Sequence, residues 1–158
     1  NPSMRDFSTL FNAPLLSGKR HLFRHFENLR LVAASVEIYK ELINPYQLII
    51  TPASREDIIL ATLAKNNQSL LGSGKDLENG LILTGRQPPR REILHQIKTA
   101  DIPMIYTPIN SFKAMKMISS YTAKIQNEDE EKVKEAIDLV EKHIDFPLLS
   151  AIIDKGTT

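Results

Sequence analysis

Three apolar runs of strand length, QLIIT at residues 47–51, GLILT at 80–84 and PMIYT at 103–107, constrain this chain more than any other feature. None alternates apolar with polar residues, so each needs cover on both faces, as strands of a buried parallel sheet do. Parallel neighbours require a crossover, and the intervening segments read as helices at residues 55 to about 65 and 90–100. The expected fold is therefore a single three-layer α/β/α domain with a mainly parallel central sheet. Ligands of such sheets gather beyond the C-terminal strand ends, here residues 51–55, 84–87 and 107–111.

The flanking segments fit this plan. Residues 4–12 place Phe7, Leu10 and Phe11 on one helical face behind Ser3 as N-cap, and Pro14 stops the turn. Residues 18–27 mix basic and apolar positions and read as a connector of open type. Residues 29–34 form another strand, followed by a helix capped by Ser35 and ended at Asn44-Pro45. Ser54 is expected to cap the helix at 55–65, with Asp57 at its third position. The polar stretch NNQSLLGSGKDLEN, residues 66–79, reads as a long, mobile surface loop.

Beyond the third run, a helix from about Ser111 to Thr122 is expected. Asn127 to Asp129 would then cap a last helix at 130–144, whose Val133, Ala136, Ile137, Val140 and Ile144 make one apolar stripe. The domain should span 1–145, with 146–158 an extension or the start of a linker. The chain opens at Asn1 without an initiator Met, which leads us to expect a piece of a longer protein.

Composition removes several functions. A chain of 158 residues buries roughly 70% of its unfolded surface, enough for one sizeable core. Twenty basic against nineteen acidic side chains leave a net charge of +1, so no global field draws it to nucleic acid or an anionic membrane. The local basic groups, Lys19, Arg20 and Arg24, then Arg86, Arg90 and Arg91, are diluted by apolar neighbours or nearby acids. Cysteine is absent, which excludes disulfides, thiol nucleophiles and cysteine-based zinc sites. No signal-peptide pattern and no apolar run near eighteen residues occurs, so a cytoplasmic setting is the default expectation.

The familiar chemical motifs fail one by one. Gly72-Ser73-Gly74-Lys75 resembles the end of a phosphate-binding P-loop, but Ser69 stands where its first glycine belongs and Asp76 follows the lysine. His21 and His25 have the spacing of zinc ligands on a helix without the intervening glutamate. His95 and His143 lack a sequence partner for nucleophilic catalysis, so no catalytic residue, metal or cofactor is expected. The pair Glu56-Asp57 and the run 128–131 stand at expected helix starts, where acids complement the dipole. The strand-end loops remain: Thr51, Ser54, Arg55, Thr84, Gly85, Arg86, Asn110 and Ser111 would converge if the strands are neighbours. Hydroxyls, guanidinium groups and helix N-termini suit phosphate or an adenine nucleotide. The same residues equally serve as caps and turns.

At these loops the chain resembles the DRTGG domain, named for an Asp-Arg pair at one strand end and a Thr-Gly-Gly at the next. MRDFSTLFNAPLLSG is similar to its entry helix and glycine turn, LIITPASREDIILATL to its first strand, loop and helix, and GLILTGRQPPRREIL and IPMIYTPINSFKAMKMI to the next two units. Residues 131–145 resemble its closing helix. Ser54 replaces the family's Asp, Arg86 replaces its second glycine, and Asn110-Ser111-Phe112 stands for Asp-Thr-Phe. An arginine would be strained at that second position if it needs positive φ, or would supply a new anion contact.

The resemblance implies the fold of the HPr kinase N-terminal domain. It also implies a regulatory or oligomerising role within a larger enzyme, most closely the long bacterial phosphate acetyltransferases, whose chemistry lies in another domain. Its partners would be copies of itself and neighbouring domains. The alternative is a stand-alone or CBS-associated module that binds an adenine nucleotide or other small anion.

Overall fold

The computed structural model describes residues 1–143. Its sheet contains β1 (Leu15–Ser17), β2 (Asn28–Leu31), β3 (Gln47–Pro52), β4 (Gly80–Thr84) and β5 (Met104–Tyr106), in the order β1-β5-β4-β3-β2. β2 to β5 are parallel and β1 is antiparallel to β5. The helices are α1 (Met4–Phe11), α2 (Val36–Lys40), α3 (Glu56–Gly72), α4 (Arg91–Thr99) and α5 (Ser111–His143). Two compact units are distinguished, residues 1–119 and a second beginning at Ser120, and the whole sheet belongs to the first.

Side-chain alternation along the strands sorts the core into two layers. Ile49, Leu81, Leu83 and Met104 pack with Tyr39, Ile58, Ile59, Ile93 and Ile97 from α2, α3 and α4. Leu48, Ile50, Ile82 and Ile105 pack with Met4 and Phe7 of α1 and with Ala114 and Ile118 of α5. β3, β4 and β5 thus feed both layers, which is why they do not alternate apolar with polar residues, and the expected three-layer α/β/α architecture is the one observed. Each fully buried branched side chain contributes about 1.5–3 kcal/mol relative to exposure.

One polar link joins α2 to α3 inside this core. Thr62 donates its hydroxyl proton to the Ile58 carbonyl at 2.8 Å, so the Tyr39 hydroxyl donates to Thr62 Oγ1 at 2.7 Å. Burial pushes the Tyr39 phenol up to about 12, against the lowering effects of Thr62 and Arg30.

Three expectations are corrected. Residues 66–72 continue α3 instead of opening a long loop, because the buried Asn66 accepts the Leu77 N–H at 2.8 Å and Ser69 donates to the Lys75 carbonyl at 2.8 Å. Ser54 is not the cap of α3: Arg55 holds that position, the helix starts at Glu56, and Asp57 is its second residue and binds Arg55. The segment after Pro14, where no element was expected, is β1, tied to the turn before β5 by the Ser17 hydroxyl, which donates to the Ile102 carbonyl. No cap interrupts α5 at 127–129, since Asn and Asp cost only a few tenths of a kcal/mol in an exposed helix interior and no Gly or Pro is present there. The boundary expected at residue 145 and the extension at 146–158 lie outside the described residues.

Gly18 has φ +62°, and a Cβ there would stand 2.6 Å from the Ile102 carbonyl carbon and from Pro103 Cα. Gly18→Ala should therefore lose at least the ~1–3 kcal/mol of the left-handed conformation, measured by urea unfolding; an unchanged midpoint would contradict the β1–β5 packing. For Tyr39, a folded value above the unfolded one means that its contribution is complete below pH about 10 and lost as pH rises towards about 12. Absorbance titration should show one phenol ionising only with unfolding in the wild type, and none such in Tyr39→Phe.

Candidate functional site

The crossovers after β2, β3 and β4 all run on the face covered by α2, α3 and α4, whereas α5, which follows β5, packs on the opposite face. The chain therefore leaves β4 and β5 towards opposite sides, and it is at such a divergence that ligands of open α/β sheets gather. Residues 85–90 and 107–110 border it.

Hydrogen bonds fasten these two loops together. The Gly85 N–H donates to the Ile109 carbonyl at 2.8 Å, and Tyr106 donates its hydroxyl to the Gly85 carbonyl at 2.5 Å. The Thr84 and Ser111 hydroxyls share a proton contact at 2.6 Å. Asn110 caps α5 by accepting the Lys113 N–H at 2.7 Å. Gly85 takes φ +103° and a Cβ there would meet nothing, so its backbone angle is what calls for glycine. Arg86 has no positive φ and bears no such strain.

The strand β3 contributes less uniformly. Thr51 is buried, and its hydroxyl donates to the Val32 carbonyl at 3.3 Å, away from the edge. Ser54 is exposed without a side-chain partner among the described residues. Arg55 follows β3 on the same edge on which Arg86 follows its neighbour β4, since Pro52 pairs with Thr84. Arg55 donates to Asp57 at 3.0 Å and to the Ala34 carbonyl at 2.8 Å. That contact holds the Asp57 carboxyl below its ordinary range and raises the arginine.

The edge thus carries both neutralised and unpaired cations. Arg90 forms a two-pronged contact with Glu56 at 2.6 and 2.8 Å, which lowers the Glu56 carboxyl. Arg86 and Arg91 are exposed and have no partner among the described residues. Between them Pro88 and Pro89 fix two φ angles. Asp57, Tyr106, Ile109 and Arg91 were not among the expected site residues. Only Tyr106, a polar tip at a strand end, gave a local hint.

The other sequence candidates are dispersed. His21 contacts Asp101 at 3.0 Å and Arg24 at 3.2 Å, whereas His25 contacts the Asn1 carbonyl at 2.6 Å, and the two share no helix. Arg20 pairs with Asp101, and the buried Arg24 donates to the Asn79 carbonyl at 2.8 Å, so both arginines of the first basic group are committed internally and only Lys19 is left without a partner among the described residues. Burial raises the Asp101 carboxyl, but Arg20 and His21 outweigh it and the net shift is downward. Gly74-Lys75 follows a helix and precedes a strand, the reverse of a P-loop's order. His95 is exposed on α4, and among the described residues no cluster of acidic, His or Cys side chains could hold a metal. No described helix is long and apolar enough to cross a membrane.

Comparison with known proteins gives a consistent picture. The phosphate acetyltransferase of Nitratidesulfovibrio vulgaris is 27% identical over 147 residues, covering 91% of this chain and 20% of that protein. Those of Acinetobacter baylyi and Pseudomonas aeruginosa are 26% and 28% identical, covering 98% and 92% of this chain. The chain thus spans about a fifth of the length of these relatives. The crystal structure of the CBS and DRTGG domains of the regulatory region of Clostridium perfringens pyrophosphatase, complexed with its activator diadenosine tetraphosphate, shares the fold. It superposes with a TM-score of 0.58 at 23% identity, over 73% of this chain and 45% of that one. The DRTGG domain model matches residues 7–121, and the chain belongs to the DRTGG domain family.

Proposed function

We propose that this domain is a non-catalytic regulatory module of a larger cytoplasmic enzyme, a phosphate acetyltransferase, and that it takes a small anionic metabolite or adenine nucleotide at the C-terminal sheet edge. The observation that carries the reading is the pair of exposed guanidinium groups, Arg86 and Arg91, which follow β4 at its C-terminal end and have no partner among the described residues. Their counterparts Arg55 and Arg90 are already neutralised by Asp57 and Glu56. An anion here would meet charge-assisted donors beside the N-termini of α4 and α5. The adenine nucleotide is favoured by the activator bound to the pyrophosphatase of the same fold. Acetyl transfer would belong to other parts of the parent chain, and homo-oligomers and neighbouring domains would receive the signal.

Ser54, Arg55, Thr84, Gly85, Arg86, Asn110 and Ser111 would border the ligand, with Thr51 supporting them from inside. A scaffold without ligand is the competing reading, because the Thr84, Ser111 and Asn110 side chains are satisfied within the protein.

Calorimetry with AMP, ATP and diadenosine tetraphosphate separates the two, and absence of heat with all three would leave the scaffold. Arg86→Ala should weaken the best ligand about tenfold or more, the loss of one charged hydrogen bond at ~1.5–3 kcal/mol. Its melting temperature should hardly change, since this side chain has no partner to lose. Asp57→Asn, which releases Arg55, should tighten the same ligand by roughly threefold to tenfold; weaker binding would show that Arg55 needs its carboxylate to be held in place.

A further inference from the structure

At the C-terminal sheet edge one aromatic side chain is left to solvent. Phe112, the second residue of α5, is 75% exposed, and among the described residues no ring and no cation packs on its face. Phe23, the other strongly exposed phenylalanine, already carries the Arg5 guanidinium over its ring at 5.8 Å. The core offers Phe112 no place, because Ala114 and Ile118 take the side of α5 that faces the sheet. Nor does phenylalanine cap a helix or complement its dipole in the first turn.

The ring stands beside a cation of the proposed anion site. The Thr84 and Ser111 hydroxyls meet at 2.6 Å and the Gly85 N–H donates to the Ile109 carbonyl at 2.8 Å, so the chain leaving β4 and the chain entering α5 are fastened side by side. Arg86 lies two residues beyond Thr84 and Phe112 one residue beyond Ser111, together ~11 Å of chain at most. That is the scale of a nucleotide, whose base and phosphates are held apart by a ribose. A bare phosphate or a small carboxylate engages the guanidinium group and leaves the ring in water. A nucleotide engages both, since the flat face of a base stacks on an aromatic side chain.

We infer that Phe112 is the base platform of the sheet-edge site, so that its ligand is a nucleotide, with the base stacked on Phe112 and the phosphates at Arg86. This rests on the proposed anion site and adds the residue that chooses among anions. The backbone beneath the platform is fixed in advance by the Thr84–Ser111 contact and by Asn110, which accepts the Lys113 N–H, so little order is lost on binding.

The chain contains no tryptophan, so Phe112→Trp introduces a single indole that reports on the ring directly. Calorimetry of the 158-residue chain with ATP and with inorganic tripolyphosphate compares a nucleotide with its phosphates alone. The wild type should bind ATP about tenfold more tightly, the worth of one stacked base. Phe112→Ala should remove that preference and leave the affinity for tripolyphosphate unchanged, a split that misfolding cannot imitate. Phe112→Trp should keep the preference, with its fluorescence quenched by ATP and not by tripolyphosphate. Equal wild-type affinity for the two, a preference that survives Phe112→Ala, or an equal loss of both in that variant would overturn the platform and leave the anion site standing. Failure of the wild type to bind either would overturn the anion site and the platform with it.

Discussion

Burial of β3, β4 and β5 on both faces is the constraint from which the rest of the structure follows. Leu48, Ile50 and Ile82 cannot face water while Ile49, Leu81 and Leu83 are already packed on the other side. Two helical layers are therefore obligatory. Successive crossovers through α2, α3 and α4 supply one of them, and only the chain's beginning and the stretch after β5 are left to supply the other. The division at the end of β4 and β5 is thus a result of covering the sheet. That divergence needs no residue selected for binding in order to exist.

What the residues at that edge add is a difference in commitment. Thr84, Gly85, Tyr106, Ile109 and Ser111 are joined in a small set of hydrogen bonds that fixes two loops against each other. Arg55 and Arg90 are held by acids at the start of α3. Arg86 and Arg91 stand outside this set. A rigid frame with unpaired cations at its rim is well suited to an anion, because little order must be imposed when it arrives.

The sheet was largely legible in the sequence because its central strands are short apolar runs bounded by Gly, Pro and Thr, and β4 was read with its observed limits. The strand β1 was not, since three residues carry no period and pair with a partner far along the chain. The continuation of α3 past Lys65 was hidden because the polar residues there looked like a loop, while the buried Asn66 bridges to Leu77 through space. Likewise Asn127 and Asp129 looked like caps, although cap residues in an exposed helix interior cost too little to end it. At the site, chemistry could be read but pairing could not: Arg55 and Arg86 are the same residue type, and only the fold shows that Asp57 occupies one and no described residue occupies the other.

The margins of the sheet carry a further consequence. β1 has three residues with a shifted register, and β2 has four with Arg30 among them, whereas the longer apolar strands β3 and β4 lie in the interior. Short, irregular or charged borders offer a poor template to a foreign strand. The segments most prone to cross-β stacking are thus released only when the whole domain opens, so resistance to fibril formation should follow global stability and not native-state encounters.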